Sequence, residues 1–232
     1  MRRFNFSSVF NLRDLGGYFT MDHHLVKDRV FLRSDNLTGL REEEIAFLQN
    51  YGLEAVIDLR HQNEIDLEPD PFVELESVQY HNIAILDHAQ FTLEDLNRIK
   101  LSDLYIQIAE SDRFIKPVFE TLAKYKGTVL YHCSAGKDRT GVISALLYKL
   151  IGVANVDIVT NYEVSFTYLI PKYVDADRNV SEVYADLFAS KPETMLTFLQ
   201  YLDTKYPDIH DYFISKGISM ETLETIKRKL LD

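Results

Sequence analysis

The stretch Val129-Leu130-Tyr131-His132-Cys133-Ser134-Ala135-Gly136-Lys137-Asp138-Arg139-Thr140-Gly141 places a nucleophile and a permanent cation in one short loop. Cys133 is the only cysteine of the chain, and Arg139 follows it six positions on. A thiolate is a strong nucleophile, and cations beside a helix N-terminus favour it over the thiol. A guanidinium grips two oxygens of a tetrahedral anion in one bidentate fork and stabilises the charge that develops there. Gly136 permits the backbone turn that lets consecutive amides, those of Ser134 and Ala135 included, face one side. Residue types and spacing together describe a cradle for a phosphate ester with a nucleophile at its base.

Such a cradle needs a strand to end at the cysteine and a helix to begin behind the loop. The apolar run into Cys133 supplies the strand, and the pattern from Val142 to Leu150 supplies the helix. Upstream, Val26–Leu32, Ala55–Arg60 and Val78–Leu86 read as further strands. Apolar spacing predicts a helix over Arg41–Tyr51 stopped by Gly52. A second is predicted over Thr92–Glu110, opening on Thr-x-x-Asp, and a third up to Lys126 with Pro117 in its first turn and Gly127 ending it. Strands alternating with helices predict an α/β fold with a central, mostly parallel sheet. Beyond Leu150 the pattern is helical. A helix runs from Asn155 through Phe166, with Phe166 and Leu169 assigned to the core, and Pro171 interrupts it before a loop at Asp175–Asn179. Ser190-Lys191-Pro192-Glu193 reads as a capping box opening a helix through Leu202. Ser219 starts the last helix, with Leu223, Ile226 and Leu230 as its buried stripe. One domain spanning 1–232 is the expectation from length.

The form His-Cys-x-Ala-Gly-Lys-Asp-Arg-Thr-Gly resembles the signature of the protein tyrosine phosphatase superfamily. Within it, the loop is similar to a bacterial branch with dual-specificity and phosphoinositide activity. Asn11-Leu12-Arg13-Asp14-Leu15-Gly16-Gly17 resembles the N-terminal segment of that branch, as do Arg33-Ser34 and Asp58-Leu59-Arg60 with Glu64. The resemblance implies a protein-tyrosine-phosphatase-like sheet and a largely helical C-terminal part. It also implies hydrolysis of phosphotyrosine, with phosphoserine, phosphothreonine and phosphoinositides as further substrates. Cys133 is then the nucleophile and Arg139 the phosphate clamp. Thr140 places its hydroxyl near the sulfur, and His132 braces the loop. Asp138 maps to the branch's general acid, with Asp87 and Asp58 as competing choices. Lys137 is the second cation that would welcome an additional phosphate. Arg60 and Glu64 read as an ion pair bracing the site.

Other classes fit less well. The net charge of −11 disfavours nucleic-acid binding, which draws on Lys and Arg. No run approaches a membrane span, and no apolar segment follows Arg2-Arg3 as a secretory signal would require, so a cytoplasmic protein is expected, a processed exported form remaining open. None of the seven histidines has metal-ligand spacing, and neither a metal nor another cofactor is expected. A non-catalytic phospho-binding module would lack the Cys or the Arg, and a rhodanese-like sulfurtransferase gives no reason for Arg139 followed by Thr140. The partner is a phosphorylated protein or phosphoinositide; oligomeric state is not readable.

Overall fold

The run that precedes Cys133 becomes a strand with all five residues buried, and it lies in the middle of the sheet. The computed structural model describes residues 2–85, 100–175 and 189–231. In chain order these form β1 (Arg13–Asp14), β2 (Phe31–Ser34), α1 (Glu42–Tyr51), β3 (Leu53–Asp58), α2 (Gln62–Leu67) and β4 (Gln79–Asn82). Then follow α3 (Leu101–Glu110), α4 (Asp112–Lys124), β5 (Thr128–His132), α5 (Asp138–Leu150) and α6 (Asn155–Asp175). The chain closes with α7 (Pro192–Lys205), α8 (Ile209–Ser215) and α9 (Met220–Leu231).

The sheet order is β1-β2-β5-β3-β4; only β1 and β2 pair antiparallel, so the expected mostly parallel α/β sheet flanked by helices is what forms. Strand pleating sends alternate residues to opposite faces. Val129 and Tyr131 of β5, Ala55 and Ile57 of β3 and Phe31 of β2 enter one core with α3 to α9. Leu130, Val56 and Leu32 enter a second core against Leu48 and Tyr51 of α1. Burial on both faces explains why these strands read as unbroken apolar runs. Register then aligns the strand ends: Ser34 and Asp58 both stand opposite His132. Three carboxyl ends therefore meet where the Cys133 loop begins, the place where open α/β sheets bind ligands.

Several boundaries differ from expectation. The strand expected from Val26 starts only at Phe31, because Lys27 and Asp28 run along Gly16 at backbone contact. The strand expected over Val78–Leu86 is short and half-exposed, as an edge strand is; Leu86 lies outside the described residues, as do Thr92 and its predicted cap. Pro117 falls in the second turn of α4, and Pro171 lies inside α6 rather than interrupting it. The carbonyls that lose an amide partner to them belong to Arg113 and Thr167, both exposed residues. Ser190 stands one residue before the N-cap of α7, which is Lys191, with no side-chain cap, and Pro192 is at the first turn. Leu169 is buried, but Phe166 is exposed, one position off the stripe of Ile158, Tyr162, Ser165 and Leu169. Ser219 does cap α9 by accepting from the Thr222 amide. No helix among the described residues is long and apolar enough to cross a membrane.

Leu130 is fully buried on the central strand. Leu130→Ala is expected to cost about 2–5 kcal/mol in urea unfolding, the usual range for a large-to-small core change.

Candidate active site

The loop from Cys133 to Lys137 is held by its carbonyls. The Ser134 carbonyl accepts from the Asn36 amide at 3.2 Å and from Lys172 Nζ at 3.2 Å. Asn11 Nδ2 donates to the carbonyls of Ala135 and Gly136 at 2.9 and 3.0 Å, and Arg33 Nη2 donates to the Gly136 carbonyl at 2.7 Å. Among the described residues all peptide bonds are trans. In a trans peptide the N–H points opposite to the C=O. The amides of Ala135, Gly136 and Lys137 therefore point away from these anchors, toward the other side of the loop. Gly136 is required for the turn, with φ +63° and the Ser34 carbonyl oxygen only 2.3 Å from where a Cβ would lie.

The N-terminal motif serves this anchorage. Arg13 Nη1 donates to the Asn11 side-chain oxygen, which leaves the Asn11 Nδ2 turned to the loop. Arg13 Nη2 also reaches the Asn161 carbonyl at 2.8 Å and Ser165 Oγ at 2.9 Å. Arg33 Nη1 donates to Asn161 Oδ1 at 2.8 Å. Burial lowers the pKa of both arginines, and for Arg13 the charge of Arg33 adds to it. Asp14 fastens the turn itself, accepting from the Gly16 and Arg29 amides and the Tyr51 hydroxyl, each at 2.8 Å. Sequence reading saw here a glycine turn; it missed Asn11 and Arg33 as anchors, since neither lies near Cys133 in the chain.

At the far end of the loop Thr140 Oγ1 donates to Cys133 Sγ at 3.1 Å, as the resemblance implied. Arg139 makes a two-bond fork with Glu64, 2.7 Å from each guanidinium nitrogen to a carboxylate oxygen. Ser134 Oγ donates to the same carboxylate. Burial raises the Glu64 carboxyl, but the bonds and charge of Arg139 outweigh it and hold the pKa at about 2. The expected Arg60–Glu64 pair does not form. Arg60 instead folds back on Asp58, with Nη2 2.7 Å from Asp58 Oδ2, because both sit fully buried at the end of β3. The first turn of α2 carries Glu64 across to the loop.

Lys137 is buried at the N-cap of α5; its Nζ donates to the Ala189 carbonyl at 3.2 Å and lies 3.5 Å from Asp138 Oδ1. Asp138 is the first residue of α5 and accepts from the Tyr105 hydroxyl. Asp58 is fully buried and accepts from Arg60 and, at 2.9 Å, from Tyr80. Burial would raise its carboxyl, but His132 and Arg60 hold it below the usual range. His132 Nε2 is 3.0 Å from Asp70 Oδ2 and 3.6 Å from Asp58 Oδ2. Asp58, Asp70 and His132 thus assemble a donor set of metal-binding type that chain spacing does not reveal. The Arg60 guanidinium stands among them and already supplies the cation. Asp87 lies outside the described residues.

The Glu64 fork has a pH signature. Its folded pKa near 2 lies below its ordinary value of 4.5, so its stabilisation is complete above about 4.5 and lost as pH falls toward 2. Urea unfolding of wild type and Glu64→Gln should differ most at neutral pH, and the gap should close progressively below about pH 4.5.

The family model described as "Tyrosine phosphatase family" matches residues 4–232. A tyrosine-protein phosphatase of Nostoc commune is 34% identical over 221 residues, covering 86% of this chain and 74% of that protein. Pseudomonas TpbA (P. aeruginosa) aligns over 81% of this chain and 86% of its own, at 14% identity and a TM-score of 0.41. The core catalytic domain of the PP-IP phosphatase Siw14 from S. cerevisiae aligns over 81% and 93%, at 15% identity and a TM-score of 0.33. With a family match along nearly its whole length and a relative at 34% identity, the chain belongs to the tyrosine phosphatase family.

Proposed function

We propose that this protein is a cysteine-dependent phosphatase that hydrolyses phosphotyrosine through a phosphocysteine intermediate. One observation carries the reading: the Thr140 hydroxyl is spent on Cys133 Sγ beside an arginine fork already aimed by Glu64. A hydroxyl donated to sulfur favours the thiolate. The amides opposite the loop anchors and the Arg139 guanidinium would receive the three non-bridging phosphoryl oxygens.

In the first step Cys133 Sγ attacks phosphorus. The S–P bond forms while the P–O bond to the leaving group breaks, its electron pair going to that oxygen. Asp138 gives its proton to the same oxygen. In the second step water attacks phosphorus and loses a proton to the Asp138 carboxylate. The P–S bond breaks with its electrons returning to sulfur, and inorganic phosphate leaves. Asp138 is favoured over Asp58 as the acid because Asp58 is buried and engaged by Arg60, Tyr80 and His132. The Asp138 side chain is 25% exposed.

Activity on phosphoserine, phosphothreonine and phosphoinositides extends this reading. For a lipid headgroup it rests on Lys137, whose ammonium faces Asp138 and the Ala189 carbonyl, so a second phosphate has to compete with both.

The test is phosphate release from a phosphotyrosine peptide and from each phosphoinositide, by wild type and Cys133→Ser. Wild type should turn over the peptide, and the variant should lose about 10⁴-fold or more, as removal of a covalent nucleophile does. Equal release by both proteins would overturn the nucleophile. Release from phosphoinositides alone would replace the protein substrate with a lipid one.

A further inference from the structure

We infer that Tyr105 is a positioning residue for the leaving-group proton: it claims Oδ1 of Asp138, so that the proton is carried on and delivered from Oδ2. The inference rests on the reading of Asp138 as the general acid. Tyr105, on α3, is fully buried, and its hydroxyl lies 2.5 Å from Asp138 Oδ1. The Tyr162 hydroxyl, from α6, lies 2.8 Å behind it. Tyr105 has one hydroxyl proton, so the chain has a direction: either toward Asp138 or away from it.

Lys137 decides the direction. Its ammonium stands 3.5 Å from the same Oδ1. A proton on Oδ1 would face that cation, whereas a lone pair there is stabilised by it. Oδ1 is therefore the acceptor, and donation runs from Tyr162 to Tyr105 to Asp138. Among the described residues no hydrogen bond reaches Oδ2. Arg139, the next residue, directs its two terminal nitrogens to Glu64. Burial and the charge of Asp138 push the Tyr105 hydroxyl well above its ordinary pKa, which keeps it a neutral donor throughout the working range.

Tyr148 and Tyr212, buried in the same core, place their hydroxyls on the Leu15 and Ala109 carbonyls. Tyr105 points instead at the one carboxylate beside Arg139 in the signature loop. Its ring is fixed edge-on between Tyr162, at 5.9 Å, and Phe198 of α7, at 6.2 Å. Rings held this way give the hydroxyl one position. When the ester bond breaks, the proton moves from Oδ2 to the departing oxygen. The carboxylate left behind is stabilised by the Tyr105 O–H and Lys137, so both make Asp138 a better acid in the transition state.

The experiment compares wild type, Tyr105→Phe, Tyr162→Phe and Asp138→Asn on p-nitrophenyl phosphate, a good leaving group, and phenyl phosphate, a poor one. It adds competitive inhibition by inorganic phosphate. Tyr105→Phe removes a donor to the carboxylate that the chemical step leaves behind. It should slow phenyl phosphate about tenfold and p-nitrophenyl phosphate less, with phosphate inhibition unchanged. Tyr162→Phe should act in the same direction but more weakly. A wild-type rate of Tyr105→Phe on phenyl phosphate, while Asp138→Asn still slows it selectively, would overturn the positioning role and leave the acid standing. Equal loss on both substrates with weakened phosphate inhibition in Tyr105→Phe would make Tyr105 structural only, which also overturns it. Equal slowing of both substrates by Asp138→Asn would remove the acid reading itself.

Discussion

A loop that turns successive amides to one side has to place its carbonyls on the other, where they lie half-buried or buried against the protein. Here three consecutive carbonyls, 134 to 136, are taken by Asn11, Arg33, Asn36 and Lys172. Leaving a buried acceptor without a partner costs about 1–3 kcal/mol, so the loop cannot keep this shape without its anchors. Much of the fold follows from the requirement. β2 must lie beside β5 to bring Arg33 within reach, β1 must return to β2 to bring Asn11, and α6 must cross over them to supply Asn161 and Lys172.

The same requirement explains an otherwise costly feature, two fully buried arginines whose hydrogen bonds go to neutral groups. Arg33 acts on the loop directly and Arg13 acts through Asn11. Their partners are carbonyl, amide and hydroxyl oxygens, which accept from the terminal guanidinium nitrogens without neutralising the charge. Positive field thus accumulates behind the loop proposed to hold the phosphoryl group. Arg139, by contrast, is paired with a carboxylate, and Arg60 is enclosed by Asp58, Asp70 and His132. Glu64 keeps the clamp aimed, and the Asp58 cluster fixes the strand end from which Cys133 projects.

What the sequence displayed most clearly was local: the apolar run into Cys133, the glycine turn and the helix behind it, all within a few residues of one another. Arg139, Thr140 and Cys133 converge in space as their spacing suggested. Glu64 was legible as a brace but not its partner. Chain proximity pointed to Arg60, whereas the end of β3 turns Arg60 back on Asp58 and α2 carries Glu64 to a residue 75 positions away. Asn11, Arg33 and Tyr105 were illegible in their roles for one reason. Each depends on which strand or helix neighbours which, and a tyrosine at a helical apolar position looks like any other core residue until its hydroxyl is located.

The central claim is that Cys133 forms a bond to phosphorus in the course of turnover. Rapid acid quench of the enzyme with radiophosphate-labelled aryl phosphate, followed by peptide mapping, tests it most directly. Label is expected on the peptide containing Cys133, appearing and decaying at rates that match turnover. Turnover with no label retained on protein at any quench time, or label on another residue, would contradict the account.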